Sequence, residues 1–171
     1  MEVNLQPNQR FLLLFVLFIV VGWAVIAAPP VDEHVIVPFT EWITSVSAAI
    51  LNVLGQDVRV DGTLILSSDF AVDIQNGCNG IEAVLLIVAA IAAFPAGAMS
   101  RISGILAGLV LIQIVNFVRI VSLFLIGRYH QDIFQLFHTA VWQTLVVLAG
   151  VVIFLIWSYK FATPARVEAS S

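Results

Sequence analysis

Charge is scarce in this chain of 171 residues: only 11% of its side chains are charged, whereas 61% are hydrophobic. The mean hydropathy is +1.06. A water-soluble domain of this length cannot hide so much apolar surface, so lipid must act as part of its solvent. The net charge of −4 argues against nucleic acid as a partner. Low-complexity tracts and internal repeats are absent from the sequence as well. These absences point to an integral membrane protein.

Cysteine is nearly missing, and the one present is Cys78. A single thiol excludes a disulfide within the chain. The histidines His34, His130 and His138 show no spacing typical of metal sites, and no paired-cysteine motif accompanies them. We therefore expect neither a metal site nor a cofactor.

Long apolar runs predict the membrane spans. Each is long enough, at about 1.5 Å per residue, to cross most of a hydrocarbon core of about 30 Å. The first run is also compatible with a cleaved signal peptide, but its single basic residue, its length and the prolines behind it favour a retained anchor. Four spans are predicted, at residues 11–28, 78–97, 102–128 and 138–160.

Two segments between the first and second spans have a different character. Residues 39–54 repeat apolar side chains at helical spacing but are interrupted by polar ones, which predicts an amphipathic helix in the interface or packed on the bundle. A re-entrant or tilted spanning helix remains an alternative. In residues 57–75, the Asp61-Gly62 pair between alternating runs predicts a β-hairpin, and a third short strand follows. The predicted fold is a single membrane domain, residues 1–171: an all-α bundle with a small extracytoplasmic β element.

Charged residues in the short loops predict the orientation. With four spans, basic residues gather on one side and most acidic residues on the other, so the positive-inside rule places both termini in the cytoplasm. Arg59 and Arg128 fall on the outer side against this trend. The basic residues on the inner side are Arg10, Arg101, Lys160 and Arg166.

This topology brings three uncommon side chains to a similar depth on the outer side. Cys78 lies at the start of the second span and His138 at the start of the fourth. Arg119 lies in the outer half of the third span, where a guanidinium costs about 2.5–3.5 kcal/mol to insert and is a functional candidate by default. Each residue also has a plain structural alternative: a packed cysteine, an interfacial histidine, and an arginine paired with Glu82 or with backbone carbonyls.

Four neighbouring residues are candidates for support. Gly77 and Gly80 allow a sharp turn and a close backbone approach at the thiol. The N-terminus of the following helix favours thiolate over thiol. Asn116 lies one turn before Arg119 on the same helix face and can hold the guanidinium. Glu82 can orient the site, or can simply be a carboxylate favoured at a helix start.

Together, the three side chains match cysteine-dependent acyl transfer. A thiolate attacks a carbonyl, an imidazole protonates the leaving amine, and a fixed cation stabilises the oxyanion. We predict Cys78, Arg119 and His138 as the catalytic residues on this basis. The competing hypothesis is a non-enzymatic assembly or transport subunit, in which an Arg119–Glu82 pair holds the bundle and Cys78 is packing.

The same residues resemble the motifs of a known family. "GCNGIEA" around Cys78 resembles the C-x-G motif of exosortases and archaeosortases, and "NFVR", Asn116 to Arg119, resembles their N-x-x-R motif. "FH" at Phe137-His138 resembles their third position, a histidine in exosortases. The chain is short for the family and is most similar to the exosortase H subtype.

The resemblance implies a thiol transpeptidase or protease of the bacterial inner membrane, with its active site facing the periplasm. It also implies protein substrates with a C-terminal sorting signal, composed of a short motif, one transmembrane helix and a basic tail. Such an enzyme cuts near the motif and passes the acyl group to an acceptor in the cell envelope. The substrate motif, the acceptor and the oligomeric state do not follow from the sequence.

Overall fold

The protein folds as a helical bundle with a small sheet at one end, in a computed structural model that describes residues 6–162. This architecture confirms the predicted fold class: helices dominate, and the only sheet in the described residues has three antiparallel strands. In chain order the elements are α1 (Pro7–Ile26), α2 (Pro29–Val53), β1 (Arg59–Asp61), β2 (Leu64–Leu66), β3 (Ala71–Asp73), α3 (Ile81–Ala93), α4 (Ala98–Tyr129) and α5 (Gln131–Lys160).

Four of these helices, α1, α2, α4 and α5, are long and apolar enough to cross a membrane. The segment predicted at 78–97 contains the shorter helix α3, which has 13 residues and covers about 20 Å at 1.5 Å per residue. It lies at the centre of the bundle, packed against α1, α4 and α5. Its flanking loops, rather than further helical turns, bring the chain to either end of the bundle.

Aromatic rings close the bundle at the end where α3 terminates. The Phe94 ring lies 6.3 Å from Phe11, 5.7 Å from Phe154 and 5.6 Å from Trp157, measured between centroids. The Nε of Arg101 donates to the Phe94 carbonyl at 3.1 Å. The start of α1, the start of α4 and the end of α5 therefore meet at one level, with the predicted inner-side cations nearby. Arg166 lies outside the described residues.

Helix α2 begins ten residues before the predicted 39, at Pro29, and passes through a π-helical turn at Asp32–Ile36. Two prolines usually signal a break, but proline is also well suited to the first turn of a helix, where its missing N–H is not needed. α2 runs in the same direction as the second half of α4. The Trp42 ring is 6.1 Å from Phe117, and Arg128 Nη1 donates to the Gln56 carbonyl at 2.7 Å just beyond the end of α2.

The face that α2 buries is partly polar. Thr40, Thr44 and Ser47 are buried, whereas the large apolar Trp42 and Val53 are 54% and 88% exposed. The hydroxyls of Thr40 and Thr44 donate to backbone carbonyls one turn earlier, each at 2.8 Å, which satisfies them inside the helix. Thr44 and Ser47, two of the polar residues that interrupt the sequence pattern, thus lie on the buried face beside Ile43 and Leu51, while Trp42 and Val53 face outward.

The sheet has the order β1-β2-β3, with Arg59 opposite Leu66 and Leu66 opposite Ala71. The hairpin turn is Gly62-Thr63, one residue later than the predicted Asp61-Gly62 pair, because Asp61 still pairs with Leu64. Gly62 has the left-handed φ of +59° that such tight turns require.

One aromatic residue ties the sheet to the helices. Phe70, between β2 and β3, places its ring 5.4 Å from Phe124 and 6.1 Å from Phe134. Its ring lies directly over Gly127, where any side chain would overlap it. Helix α4 has 32 residues and is about 48 Å long, which exceeds a hydrocarbon core of about 30 Å. The sheet packs on the C-terminal end of this helix, through Phe124 and Gly127.

A glycine contact near the aromatic end gives a test of this packing. A methyl group at Gly104 would overlap the Trp157 indole, whose Nε1 donates to the Ser100 carbonyl at 3.1 Å. We expect Gly104→Ala to lower the thermal unfolding temperature in detergent, because overpacking of about 1–3 kcal/mol outweighs the gain in helix propensity of about 1 kcal/mol.

Gly150→Ala is the matched control. The nearest atom to a methyl at position 150 is Ile112 Cδ1 at 3.8 Å, an ordinary contact. This variant should keep or raise the unfolding temperature. Equal unfolding temperatures for the two variants would contradict the assigned contact between α4 and α5.

Candidate active site

The thiol of Cys78 sits in a tight loop between β3 and α3. The Cys78 amide donates to the Gln75 carbonyl at 2.9 Å, which closes a turn just before the helix. Gly77 and Gly80 have φ values of +91° and +83°, a region that favours glycine. Gly80 is also the residue that precedes the first turn of α3. Both glycines are thus needed for the path of the backbone that presents the thiol.

Helix α2 holds this loop from one side. Asn79 is 1% exposed and donates through Nδ2 to the Thr40 hydroxyl at 3.0 Å. Its Oδ1 accepts from the Ile81 amide at 3.1 Å, which satisfies a free N–H at the start of α3. Asn76 Nδ2 donates to the Asp32 carboxylate at 3.1 Å, beside the π-helical turn of α2. These bonds fix the residues on both sides of Cys78.

Arg119 holds the loop from the side of α4. It is 4% exposed, and its Nη1 donates to the Gly77 carbonyl at 3.1 Å. Its Nη2 lies 3.9 Å from Cys78 Sγ. Across residues 6–162 the structure gives Arg119 no carboxylate partner, and its Nε has no hydrogen bond. A buried cation without a counter-ion is costly unless a negative charge arises beside it.

His138 completes the group from α5. Its Nε2 lies 3.2 Å from Cys78 Sγ, within hydrogen-bond reach of a sulfur atom. The imidazole stacks on the Phe134 ring, with centroids 5.6 Å apart and an angle of 10° between the planes. His138 is in a π-helical turn, Phe137–Val141, a distortion that is frequent at functional sites. Phe134 also contacts Phe70, so the sheet and the imidazole are packed against the same ring.

The thiol itself is not the stabilised thiolate that the sequence led us to expect. Burial raises the pKa of Cys78 above its ordinary value, Arg119 opposes that shift, and Glu82 and Asp73 add to it. Cys78 also precedes the first turn of α3 by several residues, which weakens any effect of the helix N-terminus. Burial thus opposes the preference for thiolate that the sequence predicted, because it raises the pKa of the Cys78 thiol.

Asn116 lies beneath the loop rather than on the guanidinium. It is fully buried, and neither atom of its amide group has a hydrogen-bond partner among the described residues. A Cβ at Gly80 would come within 3.0 Å of Asn116 Cγ, so the absence of a side chain at Gly80 lets α3 approach α4. The predicted contact in which Asn116 holds Arg119 is not formed.

Glu82 belongs to a different cavity. It lines a space of about 360 Å³ between the end of α1 and the start of α2, together with Asp32 and Glu33. The ion pair between Arg119 and Glu82, which the non-enzymatic hypothesis required, is not formed in the described part of the chain; the salt bridge found there joins Arg128 to Asp69 at 3.0 Å. The separation follows from the direction of α3: its first turn presents Glu82 toward α1, away from α4.

The three predicted catalytic side chains share one cavity of about 340 Å³. Its walls are β3, the loop that carries Cys78, the C-terminal half of α4 and the start of α5. A nucleophile, a base and a cation thus face the same space, which suits attack on a carbonyl carbon. The arrangement contains a thiol and an imidazole within proton-transfer distance and a cation where negative charge would develop.

Sequence reasoning missed three residues that build this site: Asn79, Thr40 and Phe134. Asn79 lies in the quoted glycine-rich stretch, so its polarity next to an apolar helix was a usable signal. Thr40 was hidden in the polar interruptions of α2. Phe134 gave no signal, because one phenylalanine among 12 is indistinguishable without the fold.

Comparison with known proteins identifies the family of the chain. The family model described as transmembrane exosortase matches residues 5–158, which is most of the chain. Neither a curated protein nor a solved structure gives a significant match. Because the match covers well over half of the chain, the chain belongs to the transmembrane exosortase family.

Proposed function

We propose that this protein is a membrane-embedded cysteine transpeptidase that cleaves C-terminal sorting signals of exported proteins and transfers them to an acceptor in the cell envelope. The observation that carries the proposal is the 3.2 Å distance between Cys78 Sγ and His138 Nε2, beside the buried guanidinium of Arg119. Family membership supports a membrane sorting enzyme at a coarser level.

The first half of the reaction forms a thioester. The Cys78 proton passes to His138 Nε2, and the thiolate attacks the carbonyl carbon of the scissile peptide bond. The C–N bond then breaks, and the imidazolium gives its proton to the leaving amine. The raised pKa of the thiol makes this coupling necessary, because little thiolate is present before His138 accepts the proton.

The second half regenerates the enzyme. An amine or hydroxyl of the acceptor, or water, attacks the thioester carbonyl while His138 removes its proton. The C–S bond breaks, and the Cys78 thiolate recovers that proton. His138 thus acts as base and acid in turn, which a single imidazole at 3.2 Å from the sulfur can do without a second titratable group.

Arg119 supplies the electrostatic part of the mechanism. Its guanidinium is held by the Gly77 carbonyl and is 3.9 Å from the sulfur, so it faces the thiolate and the oxyanion that follows. Because it is buried and unpaired with any carboxylate in residues 6–162, its field is not cancelled in the resting state. Preorganised charge of this kind commonly contributes a factor of about 10²–10³ to the rate.

The setting we propose is the bacterial inner membrane, with the cavity on the periplasmic side. Arg10, Arg101 and Lys160 lie at the opposite end of the bundle from Cys78, as the positive-inside rule requires for a cytoplasmic end. A substrate with its own transmembrane helix reaches the cavity within the membrane plane. The reaction needs no metal or cofactor, because the thiol, imidazole and guanidinium supply every step.

Removal of the thiol tests the enzyme directly. We expect Cys78→Ala to abolish processing of an exported reporter that carries a sorting signal from the same organism, while leaving the amount of the protein in the membrane near normal. His138→Ala should strongly impair processing, because the thiol loses its base. The measurement is the mass shift of the reporter after co-expression.

His130→Ala is the matched control, since His130 lies at the exposed junction of α4 and α5. It should process the reporter at the wild-type rate. Wild-type processing by Cys78→Ala would end the proposal and favour a non-enzymatic subunit.

The geometry of the guanidinium gives a second test. We expect Arg119→Lys to lower the processing rate at least about tenfold, because an ammonium offers one point charge where a planar fork bridges Gly77 and the sulfur. Arg128→Lys is the control, since Arg128 pairs with Asp69 at the surface. Equal rates for the two variants would show that the Arg119 fork is dispensable.

The raised pKa of Cys78 predicts how its reactivity depends on pH. A thiol with a pKa above the ordinary value is mostly protonated at pH 7, so alkylation by a membrane-impermeant maleimide should keep accelerating above about pH 8.5. In Arg119→Gln the midpoint should move further up, because the cation that lowers the pKa is gone. A rate that is already constant at pH 7 would show a preformed thiolate instead.

A further inference from the structure

The third strand of the sheet has an unoccupied edge inside the candidate active site. In the order β1-β2-β3, β3 pairs with β2 on one side only. The same strand borders the cavity of about 340 Å³, whose lining includes Ala71, Asp73, Cys78 and His138. Exposed edges of this kind are ready to pair with another extended chain, and proteins usually shield them.

The register shows which backbone groups of β3 are not used by β2. The Ser67 amide donates to the Phe70 carbonyl at 2.8 Å, and the Ile74 amide to the Thr63 carbonyl at 3.0 Å. Antiparallel strands alternate between bonded and non-bonded pairs, so Val72, opposite Ile65, also bonds to β2. The N–H and C=O groups of Ala71 and Asp73 therefore point away from β2.

These outward groups are available for a ligand. Within residues 6–162, no backbone hydrogen bond is formed by Ala71 or Asp73 on the free edge. The two residues are about 7 Å apart along the strand, which is one repeat of a β-ladder. Because Ala71, Asp73 and Cys78 line one cavity, a chain paired with β3 inside it lies close to the sulfur.

We propose that the substrate segment next to the scissile bond binds as an added strand on the free edge of β3. The inference rests on the proposed function and specifies its substrate site: an extended polypeptide recognised through its main chain. Ala71 and Asp73 donate to and accept from alternate substrate residues, and this pairing carries the scissile carbonyl to Cys78. The intervening substrate side chains face the cavity wall of Ile120, Leu123 and Phe134.

The occupant follows from what the cavity must hold. A peptide bond has to reach Cys78 Sγ while His138 and Arg119 remain beside it, and β3 is the wall of that cavity with unpaired main-chain groups. Three-residue strands are marginal by themselves. An added strand would extend the sheet from three strands to four and place the fourth against the reacting sulfur.

A proline at the free edge tests the inference. Ala71→Pro removes an N–H that β2 does not use and places a ring in the path of an added strand. We expect it to slow processing of the reporter by at least about tenfold, the equivalent of about 1.4 kcal/mol for one lost hydrogen bond and its steric cost. Maleimide labelling of Cys78 should stay at the wild-type rate, which shows that the site is folded.

Val60→Pro is the matched control on the opposite edge of the sheet. Because Ile65 bonds to β3, its neighbours Leu64 and Leu66 bond to Asp61 and Arg59, which leaves the Val60 N–H facing outward from β1. This variant should process the reporter within about twofold of wild type. If the wild type is active and Ala71→Pro and Val60→Pro process the reporter equally, strand addition is wrong. The proposed function is not affected by that result.

A second measurement avoids any change to the enzyme. Single prolines are placed through the reporter segment that precedes its transmembrane helix, and processing by the wild-type protein is followed. Strand addition predicts loss at alternate positions, because only every second substrate N–H faces β3. Loss without that period, or uniform tolerance, would overturn the inference. Absence of any processing by the wild type would overturn the proposed function, and the inference with it.

Discussion

A guanidinium buried in a mostly apolar protein is the constraint on which the rest of this structure depends. Arg119 is 4% exposed and has, in residues 6–162, no carboxylate to neutralise it. Its strongest contact is with the Gly77 carbonyl, so the cation is held by the same loop that presents the thiol. Left-handed φ values at Gly77 and Gly80 make that loop possible. The Gly77 carbonyl offsets part of the cost of burial, and a negative charge that formed nearby would offset more.

The support around Arg119 comes from outside the four spans that the sequence predicted. Helix α2 supplies Thr40 and Asp32 to the loop through Asn79 and Asn76. The sheet supplies the Phe70 ring, which reaches the imidazole through Phe134. The helices of the bundle thus set the level of the three side chains, and α2 and the sheet set their orientation. A site assembled from spans alone would have the three side chains without the groups that orient them.

The sequence was sufficient to predict the fold class and the convergence of Cys78, Arg119 and His138, and the reason is compositional. Cys78, Arg119 and His138 are uncommon groups in apolar surroundings, so their depth could be read from the spans that contain them. The start of α2 at Pro29 could not, because a proline pair is compatible with both a break and a first helical turn. The sequence also could not predict which face of α2 is buried or how the pKa of the thiol is shifted. Both depend on contacts with residues that are distant in sequence, and the hydrophobic periodicity does not predict those contacts.

The π-helical turn at Phe137–Val141 has a consequence for how this protein can change over evolutionary time. A π turn holds one more residue than an α turn, so the residues before it and after it are rotated relative to an unbroken helix by about 100°. His138 faces Cys78 from the turn itself, while Trp157 faces Ser100 from far beyond it. Whether His138 and Trp157 can both face these partners depends on the number of residues in the π turn, not on which residues they are. The loss of a single position in this turn would rotate His138 relative to the rest of α5 and separate the direction of the imidazole from the packing of that helix.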